Sequence, residues 1–131
     1  MSAGLQFDEE TSRRVEAIYS TPDVVAQRKA VLQALELRTG ERVLDVGSGP
    51  GFLAADMAVA VGDSGRVHGI DISEGMVAIS HRRCVDLTHV DFQVGTATRL
   101  PFPESAFDAM PQALASSARD LSSATPKSLH R

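Results

Sequence analysis

A chain of 131 residues with 43% hydrophobic and 23% charged side chains has room for one domain around one core, and its formal net charge of −4 offers no basic footprint for DNA or RNA. A small molecule is the expected partner. The first ten residues carry neither a basic segment nor an apolar run, and the most apolar stretch, residues 52–61, is short and contains Asp56, so no secretory signal and no membrane span is read and a cytoplasmic location is expected.

In chain order, residues 1–7 read as a mobile arm. The run Arg13-Arg14-Val15-Glu16-Ala17-Ile18-Tyr19 predicts a short amphipathic helix that stops before Thr21-Pro22, packed on the sheet edge with Tyr19 given no role. Thr21, Pro22 and Asp23 then combine a capping hydroxyl, a proline at the first helical position and an early acid, which predicts a second helix. It is expected to run to about Leu37, with Val24, Val31 and Leu35 in one apolar stripe and Arg28, Lys29 and Gln33 toward water. Thr39-Gly40 ends it.

Val43-Leu44-Asp45-Val46 is an apolar, β-branched run cut by Gly47-Ser48-Gly49-Pro50-Gly51, after which residues 52–61 form an apolar helical segment. This is strand, tight turn, helix. Three glycines open backbone conformations closed to other residues, and the helix start aims free N–H groups at the same spot. A dinucleotide fingerprint would need glycine where Phe52 stands, which counts against a nicotinamide cofactor. Asp45, two residues ahead of the loop, would repel a pyrophosphate and attract a cation. The loop therefore predicts a ligand with positive charge.

Gly62-Asp63-Ser64-Gly65 is a turn cluster, followed by a second strand over residues 66–71 that ends in Asp71, where a second-strand acid holds ribose hydroxyls in nucleoside-binding sheets. His68 within it is read as hydrogen-bonded or half-exposed and not as a ligand. Ser73 caps the next helix, Glu74 sits in its first turn, Met76 is first of all a core candidate, and Arg82-Arg83 suit its C-terminus. Cys84, the sole cysteine, can form no internal disulfide and is read as a partly buried thiol. Residues 89–94 alternate and predict a third strand.

The stretch from Val43 to Gly51 resembles the first motif of class I S-adenosylmethionine-dependent methyltransferases, and Gly95 to Asp108, with Leu100-Pro101-Phe102 and Phe107-Asp108, resembles a later block of the same family. The resemblance covers roughly residues 21–110, and in similar methyltransferases segments ahead of that core form a lid over the cofactor, a reading that stays open for the first helix beside packing on the sheet edge. It implies an α/β fold: a Rossmann-like doubly wound parallel sheet, incomplete, of about four strands in the order 3-2-1-4, with N-terminal helices. The implied cofactor is S-adenosylmethionine, whose sulfonium and ammonium suit Asp45. Cofactor-binding roles are implied for Asp45, Gly47, Ser48, Gly49, Gly51, Asp71, Ile72, Met76, Thr96 and Ala97. Thr96 stands where the family usually has an acid that accepts from the adenine amino group, a bond a hydroxyl can also accept without charge. Asp108 reads as a structural acid at the start of the fourth strand rather than a base; no catalytic residue and no metal ligand is assigned.

The implied reaction is one-step transfer of the sulfonium methyl to a small-molecule acceptor. Arsenite is disfavoured because Cys84 is alone, while quinones and other small acceptors stay open. The alternatives are a non-catalytic S-adenosylmethionine-binding module and an inactive fragment. After Met110 the composition changes to serine-rich sequence with two prolines and no aromatic residue. The expected organisation is thus an arm and short helix over 1–20, a cofactor-binding core over 21–110 and a disordered tail over 111–131, as in a truncated or frame-altered chain. Such a chain leaves a sheet edge open, which a partner chain would cover.

Overall fold

Three short runs of alternating or β-branched residues pair in parallel in the computed structural model, which describes residues 9–100 and 103–111. The expected arm at residues 1–7, the Pro101-Phe102 pair and the tail beyond Pro111 lie outside the described residues. Strands β1 (Arg42–Val46), β2 (Arg66–Asp71) and β3 (Val90–Val94) form a sheet in the order β1-β2-β3. Val43 pairs with Val67 and Val67 with Val90, so the strand ends that carry Val46, Asp71 and Val94 lie together at one edge.

Helices α1 (Glu9–Tyr19), α2 (Pro22–Leu35), α3 (Phe52–Val61) and α4 (Glu74–Arg83) supply the other elements. Side chains alternate across a strand, which sends Val43 to one face and Leu44 and Val46 to the other. On the first face Val43, Val67, Val90 and Phe92 pack against Val31 and Leu35 of α2, Leu53, Met57 and Val61 of α3, and Val77 of α4. On the second, Leu44, Val46 and Ile70 meet Met110, with Ala97, Leu100 and Phe107 at the margin. Among the described residues, then, helices cover one face of the sheet only.

Four expectations need correction. The fourth strand is reduced to a single parallel bridge, Val43 to Ala109, in which the Leu44 N–H donates to the Ala109 carbonyl at 3.0 Å. Pro111 follows at once and has no N–H with which to extend a ladder. This segment of the same chain lies along β1, on the edge away from β2. Second, α2 stops at Leu35 because Glu36 turns left-handed at φ 48°, ahead of the Thr39-Gly40 signal. Third, the Thr21 hydroxyl makes no cap and donates instead to the Ile18 carbonyl at 3.3 Å. Last, Arg28 does not face water: its side chain is 17% exposed and pairs with Asp56 at 3.2 Å. Ser73 does cap α4, its hydroxyl accepting from the Met76 N–H at 3.1 Å.

Candidate cofactor site

The loop between β1 and α3 turns on positive φ at Gly47, Gly49 and Gly51, of 74°, 58° and 91°. At Gly51 space is restricted as well as conformation: a Cβ there would stand 2.9 Å from the Ser80 hydroxyl and 3.2 Å from the Ser80 Cα. Only glycine lets α4 come this close.

The N–H groups of the loop itself, as distinct from those at the start of α3, are bonded within the chain. Gly47 and Ser48 N–H both donate to the Ile70 carbonyl, at 2.7 and 3.0 Å, and Gly51 N–H donates to the Ser48 carbonyl at 3.3 Å. Gly49 N–H donates to Asp71 Oδ2 at 2.8 Å, while Asp71 Oδ1 accepts from Ser73 N–H at 2.9 Å. Asp71 thus ties the glycine loop to the end of β2. The loop has spent these donors on its own chain.

What stays unsatisfied are side-chain oxygens. Both carboxylate oxygens of Asp45 and the Ser48 hydroxyl are buried without a hydrogen-bond partner among the described residues. Burial, and then the Asp71 carboxylate, push the Asp45 carboxyl up to about 7. A buried carboxylate that the fold leaves unpaired is a strong acceptor for a cation and a poor neighbour for a phosphate.

Against the outer side of the loop lies a cavity of about 80 Å³, lined by Gly47, Ser48, Gly49 and Pro50 and closed by Tyr19, Arg28 and Phe52. That is smaller than the roughly 300–1,000 Å³ of a pocket for a whole ligand. Tyr19 stacks on Phe52 with ring centroids 6.0 Å apart, and the Arg28 guanidinium lies 4.9 Å from the centre of the same ring. Arg28 also donates from Nη1 to the Tyr19 carbonyl at 3.2 Å. Among the described residues its Nε and one Nη1 donor are occupied, which leaves three of its five N–H donors without a hydrogen-bond partner there.

The ten expected site residues fall into two groups. Asp45, Gly47, Ser48, Gly49 and Gly51 gather at the loop, although Asp45 lies beneath it and does not line the cavity. Asp71, Ile72, Met76, Thr96 and Ala97 follow the ends of β2 and β3 along the chain: Gly95 N–H donates to the Asp71 carbonyl at 3.0 Å, Met76 is in the first turn of α4, and Ala97 packs against the second apolar cluster. Asp71 joins the groups. Ile72 is 73% exposed and Val94 49%, and Thr96 is exposed as well. Met76 is half-buried and packs into neither apolar cluster, against its reading as core.

Other expectations hold. His68 is half-buried and bonds Gln93 at 3.0 Å, and burial pushes the buried Cys84 thiol up. Asp108 Oδ2 accepts from the Arg42 N–H at 2.9 Å, at the opposite end of β1 from the loop, which suits a structural acid. Sequence reasoning passed over Tyr19, Arg28, Ser80 and Arg83. Tyr19 and Arg28 gave no periodic signal of a site. Among the described residues no cluster of three or more metal-binding side chains is present, and no helix is long and apolar enough to cross a membrane.

A demethylmenaquinone methyltransferase of Beutenbergia cavernae is 48% identical over 83 residues, which is 63% of this chain and 32% of that protein. A SAM-dependent methyltransferase from Aquifex aeolicus superposes with a TM-score of 0.64 at 26% identity, over 76% of this chain and 55% of that one. The [4+2]-cyclase SpnF superposes at 0.60 with 33% identity, over 67% of this chain and 33% of its own. The chain spans about a third of the length of the curated relatives it matches. Residues 43–125, more than half of the chain, match the methyltransferase domain family, and the chain belongs to that family.

Proposed function

We propose that this chain binds S-adenosylmethionine at the glycine loop and serves methyl transfer to a small-molecule acceptor. The observation that carries the reading is Asp45, buried and unpaired beneath a loop whose own donors are spent. The Ser48 hydroxyl supplies an acceptor at the cavity wall for the ammonium end of the cofactor, the Asp45 carboxylate beneath the loop attracts that positive charge through space, and Arg28 lines a cavity of the right scale for the cofactor's carboxylate. Asp71 can accept ribose hydroxyls with its remaining lone pairs. Ile72 and Met76 offer an apolar surface for the adenine, with the Thr96 hydroxyl and the Ala97 N–H at its edge.

S-adenosylmethionine supplies an electrophilic methyl group when bound, so the work of the protein is to align it and exclude water. Tyr19 and Phe52 close the loop side of the cavity with aromatic surface. A demethylmenaquinone-type quinol is the first acceptor to test, since curated relatives of 33–48% identity carry that name. A second reading, cofactor binding without methyl transfer, is favoured by the 33% identity to a protein named as a cyclase.

Calorimetric titration tests the proposal. S-adenosylmethionine should bind the folded chain saturably, Asp71→Ala should weaken it by roughly 10- to 100-fold, the worth of charge-assisted hydrogen bonds, and NAD should not displace it. Absence of saturable binding by a chain that melts cooperatively would overturn the cofactor assignment. Given binding, formation of S-adenosylhomocysteine with the quinol separates the transferase from the second reading.

A further inference from the structure

Two consecutive carbonyls of the glycine loop are held from behind by one face of α4, and a third is met by its C-cap residue. The Ser80 hydroxyl donates to the Gly49 carbonyl at 2.8 Å, Arg83 Nε donates to the Pro50 carbonyl at 3.0 Å, and the Cys84 thiol meets the Gly51 carbonyl at 4.0 Å. Positions 80, 83 and 84 share one side of a helix by the three- and four-residue spacing. Ser80 has no exposed surface, and Gly51 has no side chain in the place where it would strike Ser80.

Arg83 does more than hold a carbonyl. Its guanidinium lies 3.6 Å from the centre of the Phe52 ring, and its Nη2 donates to Glu16 of α1 at 3.3 Å. One side chain therefore contacts the loop, the first residue of α3 and α1, whose last residue, Tyr19, lines the cavity. The fork of the guanidinium suits this, since its donors leave in fixed directions while its face stacks on an aromatic ring.

We propose that Ser80 and Arg83 are positioning residues: they fix the glycine loop in its ligand-binding shape, and Arg83 couples that shape to the seating of α1. Neither lines the cavity nor reaches the Asp45 oxygens, so both act through the loop. With the carbonyls of Gly49 and Pro50 anchored toward α4, the backbone between Gly47 and Gly51 cannot rotate without breaking both bonds. The Gly49 N–H then stays on Asp71, and the Ser48 hydroxyl stays beside the cavity. This rests on the cofactor reading above only for the identity of the ligand.

The test combines amide hydrogen exchange with calorimetry on wild type, Ser80→Ala and Arg83→Lys. Exchange needs no ligand. Gly49 and Gly51 amides should exchange at least tenfold faster in both variants, while amides of β1 and β2 keep wild-type protection. S-adenosylmethionine affinity should fall roughly tenfold, the worth of one anchoring hydrogen bond. Arg83→Lys keeps the charge opposite Glu16 and loses the fork, so α1 amides should change less than loop amides. Wild-type loop exchange in both variants overturns the proposal, and so does a uniform loss of protection across the sheet, which marks a purely structural role. Absence of binding by wild type defeats the cofactor reading and leaves the exchange result to decide the positioning role.

Discussion

Asp45 has both oxygens buried and, among the described residues, unpaired, between Leu44 and Val46, which face the opposite apolar cluster. Its carboxyl rises from 3.8 to about 7, first through desolvation and then through Asp71. Between those values the folded chain holds a proton that the unfolded chain releases, so this group lowers stability progressively as pH climbs from about 4 to 7, and no further above that. The shift corresponds to roughly 4 kcal/mol at most. Such a cost makes sense where a cationic ligand recovers it. Asp45→Asn, which removes the charge at nearly constant shape, should raise the melting temperature at pH 8 and leave it almost unchanged at pH 4, while weakening S-adenosylmethionine by tenfold or more. Wild-type affinity should strengthen between pH 6 and 8 as the carboxyl ionises. A variant less stable than wild type at pH 8 would mean that the carboxylate serves the unliganded fold instead.

Helices α1 and α3 are held by different forces. Helix α3 buries Leu53, Ala54, Met57, Ala58 and Val61, whereas α1 buries no residue and is attached by Arg83 to Glu16, by Arg82 to Ser12 at 2.9 Å and by Tyr19 on Phe52. Exposed ion pairs contribute about 0–1 kcal/mol each and are screened by salt. Amides of α1 should therefore exchange much faster than those of α3 and faster still in about 1 M salt, with α3 protected and insensitive to it. Equal protection of the two helices would show α1 to be part of the core. The same contrast explains what was legible in the sequence. Strand β2 and helix α3 appear at their expected bounds because apolar runs and flanking turn residues mark both ends. The loop glycines were legible for the same reason, being required by backbone geometry. Arg28 and Arg83 were not, because a long charged side chain on a helix looks solvated until the aromatic ring it stacks on is brought beside it. Glu36 was missed because a left-handed helix end on a non-glycine residue has no compositional mark.

Across the whole molecule the two faces of the sheet are unequal, with three helices against one and short segments of residues 97–110 against the other. The second face is closed by Met110, 4% exposed, which comes from the same few residues that bridge β1 through Ala109. If that bridge is integral to the fold, Met110 carries a full share of core stability even though its segment pairs through one bridge only. Met110→Ala should then cost about 2–5 kcal/mol, the range for truncating a buried methionine, and match Met57→Ala on the helical face within that range. For a chain of this size each kcal/mol lowers the melting temperature by roughly 2–8 °C, so both losses are measurable by circular dichroism. Melting of Met110→Ala within about 0.5 kcal/mol of wild type, alongside a large loss for Met57→Ala, would mean that β1 keeps its place without the Asp108–Met110 segment, and that the helical face alone holds the sheet together.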